Sequence, residues 1–320
     1  MNHYYKPPSW FTKAINQKRH SHFVNVENCK IHYQRWAQPN DQLSKPALLF
    51  VHGGGAHSHW WDFIAPSFLD EYDVLAIDLS GMGESEHRDT YSDSLYAKEL
   101  VAVCRDAGHL NNISIISHSY GGRSVLTLAL EKPEILKSII ITDCTLFSPT
   151  KQSKMLGGKK DIPASPFGRK KIYPTKTAGL ERFKLIPPQS CDNQFLVDYI
   201  ADFSLGSVEG GWSWKFDMDF VSKRDEELEN YSLLDRIGAI ECPVANLYGE
   251  NSLLFPENMV QIYKEKYPEH TRFYRLENAR HHLLLDQPEA FIRVLKQIME
   301  ELEPSIPETP MYSDVVRDKV

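Results

Sequence analysis

The stretch Ser117-His118-Ser119-Tyr120-Gly121-Gly122 lies between a β-branched run, Ile113-Ser114-Ile115-Ile116, and a helical pattern, Arg123-Ser124-Val125-Leu126-Thr127-Leu128-Ala129-Leu130. A serine at a strand-to-helix turn, with small residues two positions away on each side, meets the steric demand of a nucleophile-bearing elbow. Larger side chains at 117 and 121 would meet the neighbouring strand and helix, while the serine hydroxyl is pushed out into a cleft. Ser117 stands where glycine is usual. The same stretch also fits a polar strand end whose Ser119 caps the following helix, so the surrounding chain has to decide.

Outward from the elbow, short apolar runs alternate with amphipathic helical patterns, the signature of an α/β sheet with mostly parallel strands. Residues 24–26 and 31–36 read as an opening hairpin. Residues 47–51 and 72–77 follow, separated by a helical stretch beginning near His59. Residues 113–117 and 136–142 flank the elbow helix, and 244–248 and 272–276 close the set at eight strands. Such near-continuous apolar runs fit strands covered on both faces. A last helix is expected because Ile292, Leu295, Ile298, Met299 and Leu302 share one face, with Asp286 as N-cap, Pro288 in the first turn and Glu289 three residues on.

Between 146 and 235 the alternation stops. Pro163, Pro166, Pro174, Pro187 and Pro188, the pair Gly210-Gly211 and the aromatics Trp212, Trp214, Phe216 and Phe220 mark a lid inserted into the sheet domain. The expected organisation is a core of residues 1–145 and 236–303, a lid at 146–235, and an irregular tail at 304–320 containing Pro304, Pro307 and Pro310.

Composition sets outer bounds. With 320 residues, 42% apolar and 25% charged, the chain has the balance of a soluble globular protein with a large core. Acidic residues outnumber basic ones, 43 to 36, for a net charge of -7, which argues against a nucleic-acid partner. The five cysteines, 29, 104, 144, 191 and 242, are scattered and form no Cys-x-x-Cys pair, so idle thiols in a reducing compartment are expected. No apolar signal region or membrane-length run is present, and a cytoplasmic location is the expectation.

Four further neighbourhoods line up with the elbow. His52-Gly53-Gly54-Gly55-Ala56 follows the third strand, and Asp78-Leu79-Ser80-Gly81-Met82-Gly83-Glu84-Ser85 follows the fourth. Asp143 closes the sixth, and His281-His282-Leu283-Leu284-Leu285-Asp286-Gln287-Pro288 precedes the final helix. In this order the chain resembles the α/β-hydrolase fold superfamily, in its lid-bearing, esterase-like branch, over residues 22 to 302. The resemblance is strong in the sheet domain and weak in the lid.

The resemblance implies Ser119 as nucleophile and His281, seven residues before Pro288, as the base that takes its proton; His282 competes for that role. Many family members carry an aspartate three residues after the glycine at 249, but Ser252 stands there. A minority branch takes the acid from the end of the sixth strand, which is Asp143 here, with Glu250 as rival and Ser252 placed to add a hydrogen bond. The N–H groups of Gly54 and Tyr120 are the implied oxyanion donors. The loop from Asp78 to Ser85 reads as structural, shaping the cleft wall.

His57-Ser58-His59-Trp60-Trp61-Asp62 resembles a histidine-rich zinc motif but lacks the further histidine that would follow the aspartate, so neither metal nor cofactor is expected. His57 is expected to line the cleft. Trp212, Trp214 and Phe216 alternate with Ser213 and Lys215, so an extended segment would turn them to one side. They would either pack the lid onto the core or line an apolar substrate pocket. Residues 151–190 hold ten Lys or Arg against Asp161 and Glu181, which fits a solvated segment or one that steers an anionic substrate.

The expected activity is cleavage of a carboxylic ester or related acyl bond in a small-molecule substrate with an apolar part, through an acyl-enzyme and a Ser-His-Asp triad. C–C bond hydrolysis on the same machinery and a non-catalytic binding protein with a vestigial triad remain alternatives. The serine at 119 disfavours haloalkane or epoxide hydrolysis, for which the resemblance implies an aspartate nucleophile.

Overall fold

A computed structural model describes residues 6–36, 45–146, 170–224 and 233–303. In chain order the strands are β1 (His20–Val26), β2 (Cys29–Trp36), β3 (Ala47–Val51), β4 (Asp73–Ile77), β5 (Ile113–His118), β6 (Leu136–Thr142), β7 (Leu205–Val208), β8 (Gly211–Trp214), β9 (Val244–Gly249) and β10 (Arg272–Leu276). Eight form one sheet in the order β1-β2-β4-β3-β5-β6-β9-β10, and β7 and β8 pair separately. β1 and β2 are antiparallel, β2 meets β4 antiparallel, and every later pair is parallel. The eight strands expected from the apolar runs are the eight of this sheet.

The two faces of the sheet follow directly from period-2 alternation. Leu49, Val51, Leu75, Ile77 and Ile115 point to one face, where they pack with Val103 of α2 (Asp93–Asp106) and Val125 of α3 (Gly121–Glu131). Leu48, Phe50, Val74, Ala76 and Ile116 point to the other, against Phe291, Leu295 and Ile298 of the C-terminal helix Pro288–Leu302. Each such side chain removed from water contributes roughly 1.5–3 kcal/mol, which is why neither face can be left open.

Two local expectations change. No α-helix begins near His59: residues Ser58–Trp61 and Ala65–Phe68 form 3-10 turns instead. Their side chains Trp60, Trp61, Phe63 and Phe68 are buried all round the turn, a pattern that helical periodicity cannot represent. Asp286 does not cap the last helix, which begins after Gln287. Its carboxylate instead accepts from the Arg280 N–H (2.6 Å) and the Gln189 side chain (3.1 Å), tying down the loop ahead of that helix.

The chain between β6 and β9 is an insertion, described over residues 170–224. It carries the short helices Lys176–Leu180 and Gln194–Phe203 and the hairpin β7–β8. Two sets of contacts fasten it to the sheet domain. On one flank the Asp217 N–H reaches the Gly81 carbonyl (2.7 Å), Tyr91 donates to Asp217 (2.9 Å), and Arg224 pairs with Asp93 (2.8 Å). On the other, Asn193 donates to the Leu285 carbonyl (2.8 Å) and Tyr199 to Asp62 (2.7 Å). Half of the basic stretch at 151–190 and the tail after residue 303 lie outside the described residues. All five cysteines are unpaired, and no helix among the described residues is long and apolar enough to cross a membrane.

The first turn of α3 fits against the chain with no room to spare. A Cβ at Gly121 would lie 2.3 Å from the His52 carbonyl oxygen, and one at Gly122 would lie 2.7 Å from the Cys144 side chain. Gly121→Ala is therefore expected to lower stability by ~1–3 kcal/mol through overpacking against backbone. A denaturant midpoint equal to that of the parent protein would contradict this.

Candidate active site

The parallel strands β3, β5, β6 and β9 run in one direction, so their carboxyl ends gather at one edge of the sheet, where ligands of open α/β sheets usually bind. Ser119 follows β5 with φ of 51°, a left-handed conformation that costs a non-glycine residue roughly 1–3 kcal/mol. Neighbouring strands hold it there. The Ser119 N–H donates to the Thr142 carbonyl (2.8 Å) and the Thr142 hydroxyl donates to the Ser117 carbonyl (2.6 Å). The glycine loop after β3 presses on the elbow, since a Cβ at Gly53 would stand 3.2 Å from the Ser119 Cβ.

Asp143, the residue after β6, has φ of 46° and is fully buried. Its carboxylate accepts from the Gly249 N–H (3.0 Å) and the Ser252 hydroxyl (2.7 Å), and its Oδ1 lies 2.8 Å from Nδ1 of His281. Because the carboxylate accepts, the imidazole carries its proton on Nδ1, leaving Nε2 as the basic nitrogen. Glu250 is turned elsewhere: its carboxylate accepts from the Asn278 N–H (3.0 Å) and faces Arg275. Ser252 thus donates to the same carboxylate that faces His281.

His118 and His282 complete a cluster of buried imidazoles around His281. The His118 Nε2 lies 2.9 Å from the His281 carbonyl, which can only accept, so that nitrogen is the donor. The elbow is thereby bonded to the loop that carries His281. His118 was not singled out from sequence as a site residue, since a histidine beside the serine gives no hint that its ring turns toward a loop more than 160 positions away. Burial pushes the His118 imidazole down to about 3, helped by the neighbouring His281, and pushes that of His282 well below its ordinary range. His52 is also lowered by burial; its Nδ1 donates to the Gly53 carbonyl (2.7 Å) and its Nε2 accepts from the Leu79 N–H (3.1 Å).

A cavity of about 340 Å³ opens above Ser119, within the size range of small-molecule sites. Ser119, His281, Gly54 and Trp214 form part of its wall. Asp143 sits behind His281. Tyr120 is not in the wall, and its ring packs on Phe220 with its hydroxyl accepting from Arg224. His57 does not line the cleft either. It is buried, with Nε2 directed at the Ser204 hydroxyl oxygen (2.9 Å) and the Ile200 carbonyl (3.2 Å), where it joins the insertion to the core. Trp212 also lies off the wall, under the Lys176 ammonium, while Trp214 meets Tyr173 and Phe183. Phe216 and Met218 are wall residues as well.

With this geometry in place, comparison with known proteins gives a consistent result. The sequence profile for the alpha/beta hydrolase fold matches residues 46–160. The solved E-2-(acetamidomethylene)succinate hydrolase shares the fold at a TM-score of 0.71 and 18% identity, over 88% of this chain and 100% of that one. The chain has the α/β-hydrolase fold. It is 23% identical over 264 residues to esterase Rv0045c of Mycobacterium tuberculosis, covering 80% of this chain and 84% of that protein. It is 25% identical over 270 residues to a pimeloyl-[acyl-carrier protein] methyl ester esterase of Aeromonas hydrophila, covering 79% and 95%.

In this α/β-hydrolase-fold chain the histidine pair weighed for zinc is otherwise engaged, since His59 bonds Asp62 (2.7 Å) and His57 bonds the insertion. The group that comes together is His118, His281 and His282, with ring nitrogens within 4.8 Å of one another. A tetrahedral ion with bonds of 2.0–2.1 Å would draw such nitrogens to ~3.4 Å. His281 meets Asp143 through Nδ1, and His118 meets the His281 carbonyl through Nε2.

The buried imidazoles set a direction for stability against pH. His52, His57, His118 and His282 all have pKa values depressed by burial, those of His57 and His118 to about 3, from an ordinary 6.5. Their contribution is complete above 6.5 and is lost as pH falls toward 3. Glu99 acts oppositely: burial raises its carboxyl to about 7 from 4.5, so its contribution is complete below 4.5 and lost as pH rises through 7. Four imidazoles against one carboxyl predict a Tm that falls steadily from about pH 6.5 to about pH 4.5. Thermal melts across that range that stay level would contradict the neutral, buried state of these rings.

Proposed function

We propose that this protein is a serine hydrolase that cleaves a carboxylic ester or related acyl bond by way of an acyl-enzyme, with Ser119, His281 and Asp143 as its triad. The observation that carries the proposal is the buried Asp143–His281 contact of 2.8 Å, on an imidazole that shares one cavity with a serine held at φ of 51°. The Nδ1 proton faces the carboxylate, so Nε2 is free to take the Ser119 proton as the hydroxyl attacks the carbonyl carbon. The imidazolium that forms is stabilised by Asp143 and then protonates the leaving alkoxide. Water repeats the sequence on the acyl-enzyme, releasing the acid.

The tetrahedral intermediate carries an oxyanion, and the N–H groups of Gly54 and Tyr120 are the donors proposed for it, each worth ~3 kcal/mol in a water-poor site. Supporting this, Gly54 forms part of the wall, and a Cβ there would lie 3.2 Å from Phe220 and 3.4 Å from Tyr120. A side chain at 54 would press on Phe220, so the loop runs close to the residue after the proposed nucleophile. The insertion at 146–235 is proposed to act as the lid that shapes the acyl pocket, through Phe183, Leu185, Trp214, Phe216 and Met218. The relatives named as esterases favour ester cleavage over C–C bond cleavage.

A fluorophosphonate probe is expected to label the protein covalently at Ser119, with labelling abolished in Ser119→Ala. A folded protein that takes no label would sink the hydrolase reading and leave a binding protein. Asp143→Asn is expected to lower kcat by ~10⁴ with KM little changed, since it removes the acceptor that fixes the His281 tautomer. Product analysis on a simple ester should return one acid and one alcohol.

A further inference from the structure

Three cations stand in the wall of the cavity above Ser119: Lys171, Arg182 and Lys184. Among the described residues that wall contains no Asp or Glu, in a chain whose net charge is -7. The contrast with neighbouring insertion residues is direct. Lys176, Lys215, Lys223 and Arg224 each meet a carboxylate, of Asp202, Glu84, Asp217 and Asp93 respectively. Among the described residues, none of the three wall cations has an ion-pair partner; Lys171 rests over the Tyr173 ring at 5.5 Å.

Their placement along the chain is also ordered. Arg182 and Lys184 are exposed, while Phe183 between them is half-buried and Leu185 is buried. The segment therefore offers alternating charged and apolar side chains to one cavity. The apolar side chains share the cavity wall with Ser119, and the charged ones are exposed to solvent. Unpaired cations at a low-dielectric mouth attract anions more strongly than the same groups on an open surface.

We infer that Lys171, Arg182 and Lys184 form an oxyanion subsite at the cavity mouth, which selects esters bearing a carboxylate or phosphate remote from the scissile carbonyl. This rests on the hydrolase reading above and names its substrate class. The group bound is the substrate's own anionic end, separated by an apolar spacer from the bond cleaved at Ser119. A neutral ester of equal length fills the same spacer region and leaves the three cations unused.

The test compares esters matched in length. 4-Nitrophenyl hexanoate is the neutral reference, mono-4-nitrophenyl adipate places a carboxylate on the acyl end, and 4-nitrophenyl 6-phosphonooxyhexanoate places a phosphate there. 4-Carboxyphenyl hexanoate, set against its 4-carbamoylphenyl analogue, places the anion on the leaving group. At least one anionic ester is expected to exceed its neutral counterpart in kcat/KM by about tenfold or more. That ratio should shrink toward one in Lys171→Gln/Arg182→Gln/Lys184→Gln, and also in the parent protein near ~1 M salt, where the Debye length is ~3 Å. Equal kcat/KM for all anionic and neutral partners would overturn the subsite while leaving the hydrolase reading intact. Failure to turn over any of the esters, with no fluorophosphonate labelling, would overturn both. The salt series needs no variant, so a misfolded triple substitution cannot mask the result.

Discussion

The carboxylate of Asp143 is buried, and a buried charge has to be met by donors or it costs several kcal/mol. Three donors surround it, and they come from separate parts of the chain: the Gly249 N–H at the end of β9, the Ser252 hydroxyl in the following turn, and Nδ1 of His281 in the loop after β10. Satisfying one charge therefore fixes three segments against the end of β6. The Asp143 N–H is itself spent on the Leu247 carbonyl of β9 (2.9 Å), so the acid moves with the sheet and not with a loop. The imidazole inherits that rigidity, which its proposed role as proton acceptor requires, since efficiency there depends on placement within a fraction of an ångström.

A second bond closes the arrangement from the other side. His118 donates to the backbone carbonyl of His281, so the loop bearing this proposed base is held by its side chain on Asp143 and by its main chain on the elbow. Two attachments on opposite sides of one residue leave it little rotational freedom. The donor nitrogen on His118 stays protonated over the whole working range because the ring is neutral and the carbonyl demands a donor. The same logic holds for His52, which uses both ring nitrogens to fix the glycine loop. The neutral, buried imidazoles near the serine are thus structural parts of the chemistry's frame.

Most of this frame was legible in the sequence because it is written in local patterns. The eight strands announce themselves as apolar runs, and Ser119 announces itself through the small residues that its sharp turn demands. His281 and Asp143 are named in the sequence only through a resemblance in motif order, with Glu250 as rival; in the fold Asp143 is buried beside His281 while Glu250 meets Asn278 and Arg275. What stayed hidden depends on contacts between distant positions. His57, expected in the cleft, is drawn into the joint with Ser204 and Ile200. Trp212 was expected on the same side as Trp214, yet only Trp214 reaches the wall, because the short β8 strand carries Trp212 out toward Lys176. The turns at 58–68 bury aromatics on every side and so erase the periodicity by which a sequence reports a helix.

The insertion divides the work of the site. Its attachments lie on two flanks, through Asp217, the Lys223 carbonyl and Arg224 on one and through Asn193, Tyr199 and Ser204 on the other. Between them the stretch 182–186 forms cavity wall without belonging to any helix or strand. The exposed positions of this segment, Arg182, Lys184 and Ile186, can vary in sequence at little cost to the fold, whereas Leu185 is buried in the core. The buried donors around Asp143 have no such freedom, because each one removed leaves a charge unmet. In the proposed hydrolase, selectivity and reactivity therefore sit on parts of the chain under different constraints: the wall can change which molecule is admitted while Asp143, His281 and the elbow stay where the sheet puts them.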